Sequence, residues 1–526
     1  MGERLVRNEK VRGSIPLGST TPTRRPSPET RHPGPRPTTV TIRHDPARTR
    51  RLARALPDLL ALHRHDPARY PHLLESAAQS LDASGTSRFD ILFAFPGQSL
   101  IRRTDGLSLT DGPYVLPGLP PGGPRSGAFL DGLDAWHAAE GTPPPTGEAG
   151  RLPFAGGWFL ALGYELAGEI EPVLRLPPAP RLGGMGRLVA LATRMPAAVI
   201  RDRAADEVIL VAEAGQAGLL DLMEEDIGRL SGAPVGPQAA GPAGPTVEEE
   251  EAHHLARISA AVDYIRAGDI FQANISRPWL ARLAPGLDHA TLYDHLRAAN
   301  PAPFAGLASW GDVAVISSSP ERLVSVRGRR VETRPIAGTR PRGRTVSDDA
   351  KLRDELIAHP KERAEHIMLV DLERNDLSRV ARPGTVRVSD YMTLETYAHV
   401  HHIVSNVTGE LRDHVTPGEI IAAVFPGGTI TGCPKIRCME IIAELEATGR
   451  GFYTGALGYL DHSGDMDLNI LIRTLVRDGQ TVTFRAGGGI VADSIPSREI
   501  SETRAKAKGL VHALAVAGGK PDGGRT

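Results

Sequence analysis

Apolar and polar positions alternate in two rhythms along this chain, and in places in neither. Positions 1–40 carry Pro, Arg, Ser and Thr with almost no apolar periodicity. They are expected to form a disordered arm, of the kind that a start codon assigned too far upstream would add. RTRRLARALPDLLALHRHD (48–66) reads as a helix, and SRFDILFAFPG (87–97) as a strand closed by a Pro-Gly turn. FLDGLDAWHAAE (129–140) is helical, and RLPFAGGWFLALGYELAGEIE (151–171) reads as sheet leading into a helix. RLVALATRMPAAVIRDRAADEVILVAE (187–213) reads as two strands around a turn. The stretch 228–250 is Gly, Pro and Ala followed by acidic residues, which marks a linker.

Beyond it, ARISAAVDYIRAGDIFQANIS (256–276) is an amphipathic helix running through Gly268-Asp269 into a strand. Residues 312–339 predict strands and hairpins, and 346–377 a helix broken at Pro360. GEIIAAVF and PKIRCMEIIAELEA read as helices; GFYTGALGYLDHSG, DLNILIRTLVRDG and TVTFRAGGGI read as strands. Helices and strands alternate irregularly, with several hairpins and no internal repeat. The pattern predicts a mixed α+β fold with packed, largely antiparallel sheets surrounded by helices. The expected divisions are an arm at 1–40, an N-terminal region at 41–230, a linker at 231–250, a catalytic domain at 251–513 and a disordered tail at 514–526.

Composition narrows the class. The chain has 526 residues, 40% hydrophobic and 23% charged, so a large core is expected. A net charge of −1 gives no reason to expect nucleic acid or a membrane surface as partner. No apolar run reaches transmembrane length. The two cysteines, Cys433 and Cys438, are too few for a disulfide framework, so a reducing cytoplasm is the expected setting. They lack the arrangement a nucleophile needs and read as core thiols.

Chemistry concentrates near the C-terminus. Gly487, Gly488 and Gly489 follow a strand-like run, where bare backbone lets N–H groups approach an anion. Glu499 and Glu502 follow, three apart on one face of a helix. A second pair with the same spacing, Glu362 and Glu365, lies upstream. Converging carboxylates suit Mg²⁺, although two solvated helix faces would read the same way. His399, His401 and His402 lack accompanying zinc ligands, and a strand would turn successive rings to opposite faces. One inward histidine acting as acid, base or positioning donor is the expectation. Arg473, just before the glycine run, is a candidate bidentate carboxylate clamp.

Seven motifs in order carry a resemblance. PIAGTRPRG (335–343), KERAEHIMLVDLERNDL (361–377), HHIVSNVTGEL (401–411), FPGGTITGCPKIRCMEII (425–442), RGFYTGALGY (450–459), MDLNILIRTL (466–475) and AGGGIVADS (486–494) resemble the chorismate-utilising enzymes. These include the large subunits of anthranilate synthase and aminodeoxychorismate synthase, with isochorismate and salicylate synthases. The match is strong over about 250–510 and looser through LLES (73–76), SRFDILFA (87–94) and GYEL (163–166). It implies a two-lobed fold with a chorismate–Mg²⁺ cleft. By motif, Glu362, Glu365, Glu499 and Glu502 match the family's Mg²⁺ site. Tyr453, Arg473 and the amides of Gly487–Gly489 match its substrate-carboxylate contacts. The resemblance also makes Ala337, Gly338, Thr339 and Lys506 candidate substrate contacts. His402, Gln272, Thr429 and Glu321 become the catalytic candidates. LLES resembles a segment of the family's tryptophan pocket, with Glu75 and Ser76 as candidate ligands; a helix end capped by serine would read the same way.

The resemblance also bears on the reaction. Water-adding members carry a lysine base where this chain has Gln272, which implies ammonia as nucleophile. Neither cysteine fits a glutaminase, so a glutamine amidotransferase partner is implied. Ala337 in PIAGT looks like anthranilate synthase, because aminodeoxychorismate synthases usually carry a lysine there. SRFDILFA, Asn274, FPGGTITG, Asn469 and the triple glycine look more like aminodeoxychorismate synthase, and the balance leans that way. A non-catalytic relative would have lost metal glutamates or the arginine clamp, and all are present.

Overall fold

The computed structural model describes residues 48–52, 58–78, 88–112, 127–140, 145–230, 244–396 and 400–516. The arm at 1–40, His399 and most of the 231–250 linker lie outside these. The described part of the linker includes Val247–Glu248, a short strand pairing with Trp279 and Leu280.

The described strands form two sheets, of twelve and eleven strands, and the pairs within each run antiparallel. In the first sheet, Phe89–Ala94, His72–Glu75, Phe304–Trp310, Val313–Ser319, Thr474–Asp478, Thr481–Ile490 and Gln272–Arg282 lie side by side among others. In the second, Ile336–Pro341, Val400–Glu410, Arg330–Arg334, Arg322–Arg327, Met466–Asn469, Ala456–Asp461, Gly157–Leu162 and Leu188–Met195 do so. Strands from both sides of the linker are woven into each sheet.

Side-chain alternation shows how the sheets stack. Ile91, Phe93, Ala198, Ile200, Val211 and Val315 of the first sheet pack with Phe159, Leu191 and Leu457 of the second. Their neighbours Leu92, Ala94, Val199, Leu210 and Ile316 point the other way, into a cluster shared with the helices His289–Ala299 and Pro496–Val516. The far face of the second sheet is covered by Phe129–Glu140, Pro360–Ser378 and Pro417–Val424. The result is a sandwich with helices on both outer faces. Strands buried on both sides need apolar residues at successive positions, which explains unbroken runs such as DILFA and VILVA.

Some expectations shift. RTRR is not the start of a helix: Arg48–Arg51 is a strand paired with Ile209–Ala212, and the helix nearby is Leu60–His65. LLES belongs to a strand, His72–Glu75, rather than a helix end. Residues 187–213 make three strands, not two, because Pro196 and a turn at 203–206 both break the run. Leu514, expected in the tail, is buried in a helix that continues to Val516. Pro360 does divide the 346–377 stretch, standing at the first turn of the second helix, where its missing N–H costs nothing.

Two chain crossings matter for function. After Val313–Ser319 the chain leaves the first sheet and enters the second at Arg322. After Met466–Asn469 it leaves the second and enters the first at Thr474. The crossings are stitched together: Ile470 N donates to Glu321 O at 3.0 Å, and Ser318 N to Arg473 O at 3.1 Å. Arg473 has φ 53°, a left-handed conformation that turns the chain between sheets. Backbone groups freed from a ladder and polar side chains thereby gather at one seam.

Beneath the seam lies a buried ion-pair hub. Glu446 accepts from Arg450 Nη2 at 2.7 Å, Arg485 Nη2 at 2.8 Å, and Ser276 N and Oγ at 2.8 and 2.9 Å. Burial opposes its charge, but the two guanidiniums outweigh that and hold its pKa at about 2. Arg450 also donates to Asn274 O and Ile430 O. The hub therefore ties the Gln272–Arg282 strand, the Thr481–Ile490 strand and the 428–430 turn together. Glu446→Ala leaves two cations uncompensated inside the protein, an expected cost on the order of 3–5 kcal/mol. Urea denaturation of the variant checks this; an unchanged midpoint would contradict the role.

Candidate active site

The glycine run is part of a strand rather than a loop. Gly487, Gly488 and Gly489 pair with Ser276, Ile275 and Asn274 within Thr481–Ile490. Of the Thr481–Ile490 strand, the neighbouring Thr474–Asp478 strand pairs only with Thr481–Phe484, so the other edge of the glycine segment is left to other groups. Lys506 Nζ donates to Gly487 O at 3.0 Å. A methyl on Gly487 would meet the Tyr453 hydroxyl at 2.9 Å. A methyl on Gly488 would lie 3.5 Å from both Glu499 Oε2 and Glu502 Oε1. On Gly489 it would collide with the Gln272 carboxamide and lie 3.3 Å from Glu365 Oε1. Three carboxylates, an ammonium, a phenol and a carboxamide thus surround a stretch of bare backbone.

They reach this place from several elements. Gln272 opens its strand, is buried, and donates from Nε2 to Glu365 Oε1 at 3.1 Å. Its Oε1 has no hydrogen-bond partner among the described residues. Glu365 stands on the Pro360–Ser378 helix, and Glu499 and Glu502 on Pro496–Val516. Lys506 binds Glu502 at 2.7 Å. Arg473 Nη1 donates to Lys506 O at 2.9 Å, and burial lowers its pKa. Tyr453 is buried, and the Arg450 guanidinium lies 5.5 Å from its ring centre. Burial also raises the Tyr453 pKa.

Glu362 sits one turn before Glu365 and turns to the opposite wall. Its Oε1 accepts from Arg340 Nη1 at 3.1 Å, and its Oε2 lies beside Gly338. Gly338 has φ +71° at a bulge between Ala337 and Thr339, which a side chain would strain. The bulge lets Thr339 Oγ1 meet His402 Nδ1 at 2.9 Å, with Gly338 O at 3.4 Å from the same nitrogen. Burial and the nearby Arg473 charge lower the His402 pKa to about 4, so the ring is neutral at pH 7. His401 faces elsewhere, to Thr396 Oγ1 at 2.9 Å and Asp349 Oδ1 at 3.0 Å. Ala337 is buried opposite Ile403.

Glu321 occupies the first crossing. Burial pushes its pKa up to about 8, against the pull of the Thr429 hydroxyl, the Ile336 amide and the Lys506 charge. Thr429 stands close enough to favour the Glu321 charge, yet neither its Oγ1 nor Glu321 Oε1 makes a well-formed hydrogen bond. Both therefore present unsatisfied polar atoms in a buried place. Cys438 is a core thiol, donating to Gln272 O at 3.0 Å, whereas Cys433 is only half-buried where its backbone pairs with Gln272.

The four glutamates do not form a closed cation site. Among the described residues, no group of three or more carboxylate, imidazole or thiol side chains stands close enough to hold a metal as it is. Glu365, Glu499 and Glu502 do line one cradle of bare backbone, with all-oxygen donors of the type hard divalent cations take. Glu362 is held apart from them by Arg340, and Glu502 is held by Lys506. The donor set fits such a cation once these ion pairs open.

A family model described as chorismate binding enzyme matches residues 128–512. The chain belongs to this family. An anthranilate synthase component I-like protein of Synechocystis sp. is 44% identical over 366 residues, 69% of this chain and 74% of that protein. Aminodeoxychorismate synthase component 1 of Bacillus subtilis is 48% identical over 279 residues, 53% of this chain and 58% of that protein. The crystal structure of anthranilate synthase component I from Streptococcus pneumoniae matches with TM-score 0.69 and 30% identity, covering 81% of this chain and 92% of that one. The menaquinone-specific isochorismate synthase of Escherichia coli shares the fold, with TM-score 0.65 and 17% identity over 89% of this chain and 95% of that one.

In this chorismate-binding enzyme a second cavity, of about 270 Å³, lies away from the glycine strand. Glu75, Ser76, Pro303, Phe304, Arg322 and Tyr459 are among its walls. Glu75 accepts from Tyr293 Oη at 2.8 Å and Arg297 Nη1 at 3.1 Å, while Ser76 Oγ is buried with no hydrogen-bond partner among the described residues.

Sequence reasoning missed Glu373 and Glu446. Glu373 follows Glu365 by eight on the helix stripe that also buries His366, Leu369 and Val370, so helical spacing was the available signal. Glu446 gave none, since its two arginine partners are distant from one another in sequence. Gly489→Ala is expected to displace Gln272 and its contact with Glu365. Displacements of about 1 Å in an active site cost on the order of 10²-fold in turnover. A steady-state assay beside a thermal melt checks it, with turnover lost and melting little changed.

Proposed function

We propose that this chain aminates chorismate, using ammonia from a glutamine amidotransferase subunit, and forms 4-amino-4-deoxychorismate. The observation that carries amination is Gln272, a buried carboxamide tied to Glu365 where water-adding relatives carry a lysine base. A carboxamide has no basic nitrogen with which to activate water.

Chorismate is a dianion, and the groups present answer that charge. Arg473, Tyr453 and the glycine amides bind its carboxylates. Glu365, Glu499 and Glu502, joined by Glu362, would hold Mg²⁺, which supplies positive charge against a substrate carboxylate when bound. Glu321 holds a proton at neutral pH and stands to give it to the ring hydroxyl as that group leaves as water. Neutral His402, fixed by Thr339, orients the ring side of the pocket. Similarity to the aminodeoxychorismate synthase of Bacillus subtilis, together with Asn274, Asn469 and the triple glycine, supports the product reading.

A second reading, anthranilate synthesis, is favoured by Ala337. It is buried and has no nitrogen with which to form a covalent ring adduct. The cavity at Glu75 and Ser76 fits a free amino acid such as tryptophan, bound as inhibitor or structural ligand. Ser76 Oγ supplies an unused hydrogen-bonding group.

Incubation with chorismate, Mg²⁺ and ammonium, with and without aminodeoxychorismate lyase, separates the readings. The expected outcome is 4-aminobenzoate only when the lyase is present, and none after chelation with EDTA. Anthranilate without lyase would establish the second reading, and isochorismate or salicylate would refute amination.

The pH dependence follows from Glu321. Its proton must be present for donation, so turnover is expected to fall as pH rises through about 8. The shift also bears on stability. The folded state holds this proton more tightly than the unfolded chain, whose value is near 4.5. The contribution is therefore full below 4.5 and lost as pH climbs through about 8. Glu321→Gln should abolish this slope in a pH series of thermal melts.

A further inference from the structure

The Pro360–Ser378 helix carries a buried carboxyl that the scheme above does not use. Glu373 is 2% exposed. Its Oε2 accepts from Thr333 Oγ1 at 2.9 Å, on the strand Arg330–Arg334. Its Oε1 accepts from Gly428 N at 3.2 Å, in the turn Gly428–Ile430 that carries Thr429. Thr429 in turn stands close enough to Glu321 to favour its ionised form, without a well-formed hydrogen bond. The chain of contacts therefore runs Thr333, Glu373, Gly428, Thr429, Glu321, and joins a helix, a strand, a turn and the first sheet crossing.

We propose that Glu373 is a positioning residue for the acid step: it anchors the Gly428–Thr429 turn against Thr333, and its buried charge holds the proton on Glu321. This rests on the reading of Glu321 as proton donor.

The electrostatics agree. The Glu373 charge is one of the influences that raise Glu321, after burial itself. Around Glu321 the other groups are the Thr429 hydroxyl, the Ile336 amide and Lys506, all of which favour its ionised form. Around Glu373, burial and then Asp376 push its pKa up to about 7, while Lys435, Thr333 and the Gly428 amide pull it down. Lys435 is paired with Asp376, which spends much of its charge there. Between about pH 7 and about pH 8 Glu373 is thus the more ionised of the two, while Glu321 mostly keeps its proton. Two nearby buried carboxyls hold on to one proton more readily than they release both.

The discriminating variant is Glu373→Gln. Its carbonyl oxygen can still accept from the Gly428 amide, and its amide can donate to the Thr333 hydroxyl, so shape is kept and charge is lost. The alkaline limb of kcat is expected to move down by roughly one pH unit, with KM for chorismate unchanged. A merely structural role would lower kcat equally at every pH. A limb coincident with the wild type, or a uniform loss, overturns the proposal. Thermal melts between pH 6 and 9 give a readout free of turnover. The difference between wild type and Glu321→Gln isolates Glu321 beside Glu373; that between Glu373→Gln and the double variant isolates it alone. The first is expected to fade at a pH roughly one unit higher than the second. Equal fading pH overturns the proposal. Wild-type turnover in Glu321→Gln would instead refute the donor reading, while the melts still decide the coupling.

Discussion

Two sheets share one apolar layer, and the chain can change sheets only by leaving a ladder. That constraint governs where polar chemistry is tolerated. Within the sandwich a strand has partners on its edges and apolar neighbours on its faces, so an unpaired polar group would be costly. At Pro320–Glu321 and Ile470–Arg473 the ladder is broken anyway. The two crossings lie together because each satisfies the other's backbone. A carboxyl and a guanidinium can be buried there, with the glycine strand next to them. The Glu446 hub then fixes the neighbouring segments from below, so the groups converge on a frame that cannot slide.

The pocket owes its electrostatic character to the same arrangement. Burial lowers His402 and Arg473 and raises Glu321. Each shift disfavours charge in the empty cleft, whereas Glu446, paired twice, keeps its charge. The hub is thereby ionic, while burial works against charge on His402 and Glu321 in the pocket above it.

Much of this was legible in the sequence, for identifiable reasons. The motifs named the surrounding residues because each carries an unusual residue in a fixed setting: glycines in succession, glutamates three apart, a lone inward histidine. Helices with one buried face were readable from their period. The errors fell where both periods fail. The 187–213 run is buried on both faces, so it held no alternation with which to count strands. RTRR gave no apolar signal: Arg50 and Arg51 pair with Asp221, Glu224, Glu148 and Glu207 along a sheet edge. The glycine run read as part of the TVTFRAGGGI strand, but why that strand needs glycine, for lack of space against Gln272, was not legible. The convergence of three segments on Glu446 is a purely tertiary fact.

The bare glycine strand has a consequence for how such a protein can diversify. A surface made of main chain binds through atoms that every residue shares, so it has no side chain to lose except by gaining one that does not fit. On the proposed reading, recognition of the common substrate is therefore locked, and heritable variation is pushed onto the walls, where Gln272 and Ala337 stand. One frame can then host different outcomes for the same ring, each a matter of which nucleophile the walls admit. The floor remembers the substrate, and the walls choose its fate.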